Sequence, residues 1–174
     1  IADSGSTKCH WVLCDIKGNI IEEFKTIGFN PNFINERAIL FHLKKSNLSK
    51  HKDKIKEVFF YGAGCSSKNE NLIIQPLTDF FSNGKIYIKN DLEAACKSVY
   101  NNKKIITCIL GTGSNSCLYD GNKIYEKAAS LGYLIGDEGS GNYFGKKILN
   151  HYFNNLLPEK LKIKFEETYD TNLE

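Results

Sequence analysis

The chain has 174 residues, 41% of them hydrophobic, and sets 23 Lys and Arg against 20 Asp and Glu for a formal charge of +3. That length and apolar content can bury a real core, which excludes a disordered segment and leaves room for one domain or two small ones. The charge is too balanced for a nucleic-acid surface, and no run approaches the roughly 20 apolar residues of a membrane span, so acidic small molecules are the partner class left open.

In chain order, Lys8 to Asp15 reads as a strand, and "IKGN" turns it into a second strand, "IIEEFKT", to make a hairpin. Between Asn32 and Ser49, Ile34, Ala38, Phe41 and Leu48 recur at helical spacing and predict an apolar face at those positions. "EVFFYGAG" is a short apolar strand ended by glycines, "KNENLIIQPLTDFFS" an amphipathic helix bent or started at Pro76, and "KIYIKND" a strand that leads into a helix from Leu92 to Tyr100.

At Ile105 the opening pattern restarts, with "IITCIL", a small turn, "NSCLYD", a Gly-Asn turn and "KIYEKAA", then a helix over Tyr143 to Asn155. The turn at Gly5 recurs at Gly113, an offset of 108 residues that no solenoid period explains. Two related α/β domains are the expected organisation, 1–102 and 103–174, each with a mixed sheet and flanking helices, joined through the polar "YNNKKI". The absence of an initiator Met and of later strands in the second domain sets the expectation of a chain cut short at both ends, most severely at its C-terminus.

The six cysteines, at 9, 14, 65, 96, 108 and 117, form no C-x-x-C pair and no zinc spacing with His. Several sit in apolar runs, which predicts reduced structural thiols and a cytoplasmic location. The four histidines follow no ligand or nucleophile pattern. The segment "KKSNLSKHKDKIK" lacks the aromatic interleaving of a nucleic-acid stacking surface.

The two small turns carry the chemistry. Ser4, Gly5, Ser6 and Thr7 in one, and Gly111, Thr112 and Gly113 in the other, can expose several backbone N–H groups to an anion, because little Cβ bulk stands in the way. Phosphate is the natural occupant, and two such turns facing each other would grip the β- and γ-phosphates of a nucleotide from both sides. Lys8 would add positive charge, and Asp3 could hold a water of a hydrated Mg²⁺, an ion that keeps most of its waters. Taken singly, each turn also reads as an ordinary hairpin connection.

Four segments in order, "DSGSTK" at Asp3–Lys8, "NDLEAA" at Asn90–Ala95, "GTGSNS" at Gly111–Ser116 and "LGYLIGDEGSGNYFG" at Leu131–Gly145, resemble the N-acetylglucosamine kinase family. That family belongs to the superfamily of sugar kinases, heat-shock chaperone ATPases and actin, and it also includes activating ATPases of 2-hydroxyacyl-CoA dehydratases. The resemblance implies ribonuclease-H-like (actin-like ATPase) domains with ATP and an amino sugar between them, and a cytoplasmic enzyme. It matches Thr7 and Thr112 to ATP phosphate contacts and Asp91 to the catalytic carboxylate. Asn30 in "GFNPN", Ser114, Asn115, Ser130, Leu131, Gly132 and Asp137 fall where the sugar is held. Where many members read Gly-Gly-Trp-Gly, this chain has Ala-Ser-Leu-Gly, so Leu131 removes a flat aromatic face and leaves the sugar open, N-acetylglucosamine or glucosamine being the first expectation.

Read from residue type alone, Asp91 is either a general base at a strand's carboxyl end or a helix N-cap. Asp137 and Glu138 are either sugar contacts or caps complementing a helix dipole. Asn30 before Pro31 is equally at home in a plain turn. The alternatives to a kinase are an activator-type ATPase that energises a partner and a truncated sugar-binding module without turnover. The expected partners are the sugar and ATP, with a homodimer as an allowed assembly and no nucleic acid or membrane.

Overall fold

The computed structural model describes residues 1–127, 129 and 131–172. A five-stranded mixed sheet comes first, built from β1 (Ala2–Ser4), β2 (Lys8–Cys14), β3 (Ile20–Ile27), β4 (Glu57–Gly62) and β5 (Lys85–Asn90) in the order β3-β2-β1-β4-β5. β1, β2 and β3 pair antiparallel through tight turns, while β4 and β5 run parallel to β1 and are reached through helices. This arrangement follows from connection length, since a parallel crossover needs a dozen or more residues and a hairpin needs only a few.

On one face, α1 (Glu36–Lys45) and α2 (Asn71–Phe80) cover the sheet and bury Ile39, Leu43, Ile73 and Leu77. Beneath them Trp11 is the centre of an aromatic group, its ring 6.0–6.1 Å from those of Phe29, Phe60 and Phe81. The one polar atom of that indole is satisfied, because its N–H donates to Thr26 Oγ1 at 3.0 Å. Strand alternation sends Phe59 and Tyr61 to the opposite face. There α3 (Asp91–Val99) packs, with Lys97 over the Tyr61 ring.

Two expectations are corrected here. The buried face of α1 is Ile39 and Leu43, with Ile34 and Leu40 against them, and Phe41 is 58% exposed. A helix of that length has to bury the stripe its flanking strands present, and β3 and α2 select the 39/43 row. Pro76 neither starts nor ends α2 but lies inside it, fully buried. The backbone bond that Pro76 cannot donate would have ended at Leu72, whose side chain is 39% exposed.

A second, antiparallel sheet is made by β6 (Ile105–Leu110), β7 (Ser114–Tyr119) and β8 (Ile124–Lys127). Its small core joins Cys117 and Tyr119 to Leu92 and Cys96 of α3, so α3 packs against both sheets. After it come α4 (Gly132–Ile135), α5 (Gly141–Phe153) and α6 (Glu159–Thr168). The sequence reading anticipated α5 but neither α4, which is a single turn, nor α6, whose mostly polar sequence has a weak apolar stripe. α6 is tied to α5 where Tyr152 stacks near Phe165 and donates to Glu166.

The β7–β8 turn holds a titratable latch. Asp120 accepts from the Tyr125 hydroxyl at 2.7 Å and from the Lys123 and Asn122 N–H groups at 2.8 Å each. These bonds, the tyrosine's foremost, hold its carboxyl down to about 2. A depressed carboxylate supports the fold above its unfolded value, roughly 3.9, and that support is lost as pH falls from there through 2. Tyr125→Phe is therefore expected to move the Asp120 titration upward. Carboxyl NMR of both proteins checks it, and identical midpoints would remove the tyrosine from the latch.

Candidate functional site

The parallel strands aim their carboxyl ends at one edge. Ser4, Gly62 and Asn90 are paired in register across β1, β4 and β5, which puts the ends of β1 and β5 about 10 Å apart at the usual strand spacing. Open α/β sheets bind ligands at this edge. The first glycine turn leaves it from β1, and Asp91 leaves it from β5.

In the first turn, Gly5 N–H closes back on the Lys8 carbonyl at 3.0 Å. In the second, Gly111 N–H closes on the Gly113 carbonyl at 2.9 Å. Each closure leaves two N–H groups, those of Ser6 and Thr7 and those of Thr112 and Gly113, with no protein acceptor among the described residues. The turns meet, since Thr7 Oγ1 and Thr112 Oγ1 are 3.3 Å apart across 105 residues of sequence. Two such N–H pairs, brought together at their threonines, make an arrangement that can receive an anion. Lys8 is exposed beside it, and a groove next to Thr7 is lined by Lys25, His42 and Lys45, basic side chains outside the motifs.

Each turn is braced from behind. Ser4 is fully buried and its hydroxyl accepts from Phe29 N–H at 2.8 Å, so its side chain braces the turn from inside. Asn30 is 5% exposed; its amide donates to Ser6 Oγ at 2.8 Å while its oxygen accepts from Asn32 N–H. That oxygen also sits 2.5 Å from where a Cβ on Gly64 would be, a residue whose φ is +75°. Asn30 thus sits between the first turn and the loop after β4, and its amide has donor and acceptor capacity beyond these two bonds.

Behind the second turn lies the N-terminus of α5. Gly141 and Asn142 N–H groups donate to the Gly111 and Thr112 carbonyls at 2.9 and 3.2 Å, which satisfies two donors that every helix start leaves orphaned. Asp137, at φ +60°, turns its carboxylate onto the same loop and accepts from Ser114 N–H at 3.2 Å. Its oxygen stands 2.9 Å from a Cβ built on Gly113.

Neighbouring residues hold both N-cap positions, and at α3 Asp91 shares the Leu92 N–H with the cap residue. Asn90, not Asp91, caps α3 by accepting from Leu92 N–H at 3.1 Å, and Asn90 also donates to the Cys65 carbonyl. Ser140, not Asp137 or Glu138, caps α5 by accepting from Tyr143 N–H. Both aspartates are one or more residues out of the cap position, and Glu138 is exposed. Asp91 is half-buried, accepts from Leu92 N–H at 2.9 Å, and lies close enough to Cys65 to help burial push that thiol up to about 12.

The structure brings together Thr7, Thr112, Gly113, Ser114 and Asp137. Asn115 is on β7, its side chain turned to Ser116 N–H, and Leu131, 55% exposed, begins α4 with Gly132. Ser130 lies outside the described residues. Asp3 is an exposed carboxylate on β1, and among the described residues no three His, Cys, Asp or Glu side chains converge on a metal position. A lone carboxylate suits a hydrated Mg²⁺ held mostly by phosphate oxygens and does not suit an all-protein cage.

Comparison with solved structures gives 34% identity and a TM-score of 0.87 with a candidate N-acetylglucosamine kinase from Porphyromonas gingivalis, over 97% of this chain and 60% of that one. The chain is similar to N-acetylglucosamine kinases. A curated N-acetylmuramic acid/N-acetylglucosamine kinase of Clostridium acetobutylicum is 29% identical over 160 residues, which are 84% of this chain and 50% of the relative. The chain therefore spans about half the length of the curated kinase it matches. A candidate N-acetylglucosamine kinase from Chromobacterium violaceum shares the fold at 17% identity, TM-score 0.65, over 92% of this chain and 60% of that one. The ethanolamine utilization protein EutJ from Carboxydothermus hydrogenoformans shares it at 10% identity, TM-score 0.57, over 97% and 60%. No family model matches the chain. The α/β fold with a mixed sheet and flanking helices is as expected from the motifs, and no helix among the described residues is long and apolar enough to cross a membrane.

Proposed function

We propose that this chain carries the phosphate clasp and the catalytic carboxylate of an ATP-dependent amino-sugar kinase. The observation that carries the reading is the meeting of the two glycine turns at Thr7 and Thr112, each with two N–H groups that have no acceptor among the described residues. We read 1–102 and 103–174 as two related domains, with the sugar and ATP between them; the recurrence of strand, glycine turn, strand in β6–β7 supports this. In the transfer, Asp91 accepts the proton of the sugar hydroxyl while its oxygen forms the new bond to the γ-phosphorus. The bond to the bridging oxygen breaks, ADP takes that electron pair, and the N–H groups of both turns hold the phosphate oxygens in place. Bound Mg²⁺, with Asp3 on one of its waters, would neutralise phosphate charge. Asp137 and Ser114 are the sugar-side contacts, with Asn115, Leu131, Gly132 and Asn30 in the surrounding wall.

The substrate is an amino sugar of the N-acetylglucosamine or glucosamine type, and the exposed Leu131 leaves room for a substituent at a position where an aromatic ring would press. The deciding experiment measures ADP release by the full-length gene product with N-acetylglucosamine, glucosamine, N-acetylmuramic acid and glucose. Release that depends on an amino sugar is expected. Release indifferent to every sugar would instead favour an ATPase that energises a partner, and no release with intact sugar binding would favour a binding module.

A further inference from the structure

Cys96 on α3 and Cys117 on β7 place their sulfurs 3.3 Å apart, with the two residues 0% and 3% exposed and neither in a disulfide. We propose that this pair is a reversible redox site at which a peroxide joins the two thiols into a disulfide that fastens α3 to β7. A disulfide needs the sulfurs at about 2.05 Å, so they must close by about 1.3 Å, a movement within reach of small side-chain rotations. Among the described residues no other two cysteine sulfurs are in contact: Cys9 and Cys65 are buried, Cys14 is half-buried and Cys108 is exposed.

The chemistry balances with the peroxide as oxidant. Each thiol gives up its proton; one thiolate attacks a peroxide oxygen, the O–O bond breaks, and a sulfenic acid forms while the leaving hydroxide takes one of those protons to become water. The second thiolate attacks that sulfur, the S–S bond forms, and a second water leaves. The two sulfurs lose two electrons in all, and the peroxide oxygens gain them. A buried pair reacts when α3 and β7 open locally. Small oxidants are therefore favoured, and the nearby second sulfur captures the sulfenic acid before it oxidises further.

The position of the pair gives the link a consequence. Cys96 follows Asp91 by five residues on the same helix, and Cys117 is on the strand that leaves the second glycine turn. A disulfide would couple the helix that begins at Asp91 to the sheet that carries Gly111 to Gly113. This consequence for turnover rests on the kinase reading above, whereas the link itself does not.

The test uses the full chain with Cys108→Ser, because Cys108 and Cys117 share the tryptic peptide Ile105–Lys123. After hydrogen peroxide, alkylation in denaturant and digestion, that peptide is expected to appear joined to Asn90–Lys97, with a mass loss of about 2 Da that a thiol reductant reverses. Cys96→Ala should abolish the link, and the parent measurement stands even if that variant does not fold. Full alkylation of Cys96 and Cys117 after peroxide, at the level of the isolated Cys9, would overturn the proposal, as would a link from Cys96 to any other cysteine. With the link formed, sugar-dependent ADP release is expected to fall severalfold and return on reduction. A linked protein with unchanged release would overturn the coupling. A protein that links but shows no sugar-dependent release in either state would sink the kinase reading and leave the redox site standing.

Discussion

Asp91→Asn is expected to lower sugar-dependent ADP formation in the full-length protein by about 10²- to 10⁴-fold, the range lost when a general base is removed. Stability should barely change. The amide keeps the side-chain oxygen that accepts from Leu92 N–H, and the helix cap is supplied by Asn90, which the substitution leaves alone. Nucleotide affinity should also hold, since the clasp is made by the two glycine turns. A purely structural Asp91 predicts near-normal turnover in the variant, because asparagine replaces aspartate well at a helix start. Thermal midpoint, MgATP affinity and rate, measured on the same preparation, separate the outcomes, and a stable variant with parental turnover removes Asp91 from the chemistry.

Gly28→Ala is expected to damage both fold and clasp. A Cβ at Gly28 would lie 2.2 Å from the Gly5 carbonyl oxygen and 2.5 Å from the Ser6 carbonyl carbon. Those are backbone atoms of the first turn, with no rotamer to move out of the way, so the turn itself must be pushed off β3. Overpacking of this kind costs about 1–3 kcal/mol or more. It should also weaken MgATP binding by displacing the Ser6 and Thr7 N–H groups. Gly145, in the middle of α5 with nothing within 4 Å of its would-be Cβ, is the control. Gly145→Ala should stabilise by about 0.5–1 kcal/mol through helix propensity. Urea midpoints for the two variants should move in opposite directions, and a Gly28→Ala protein as stable as its parent would mean that the turn does not rest on Gly28.

The hairpins, the strand–turn–strand repeat and the glycine turns were all legible in the sequence, because each depends on neighbours a few residues apart. The "IKGN" turn ahead of "IIEEFKT" and the small residues at Gly5 and Gly113 suffice to place them. What the local pattern could not supply was which candidate side chain had already been taken by another part of the chain. Ser4, a residue of the small turn, and Asn30, matched to a sugar contact by the resemblance, turn out to bond Phe29 N–H and Ser6. Asp91 and Asp137 look like caps, but Asn90 and Ser140 hold the cap positions, while Asp91 accepts from Leu92 N–H inside the first turn and Asp137 from Ser114 N–H on the second glycine turn.

By itself, then, the sequence determined the α/β class, the two turns and the family they resemble, since backbone conformation at Gly, Ser and Thr is set by short-range sterics. Only the tertiary structure decided that α1 buries Ile39 and Leu43 instead of Phe41, that Thr7 meets Thr112 across 105 residues, and that Cys96 lies against Cys117. These pairings join segments distant in the chain. They are fixed by which apolar surfaces can close on one another at core density, and no local periodicity records that.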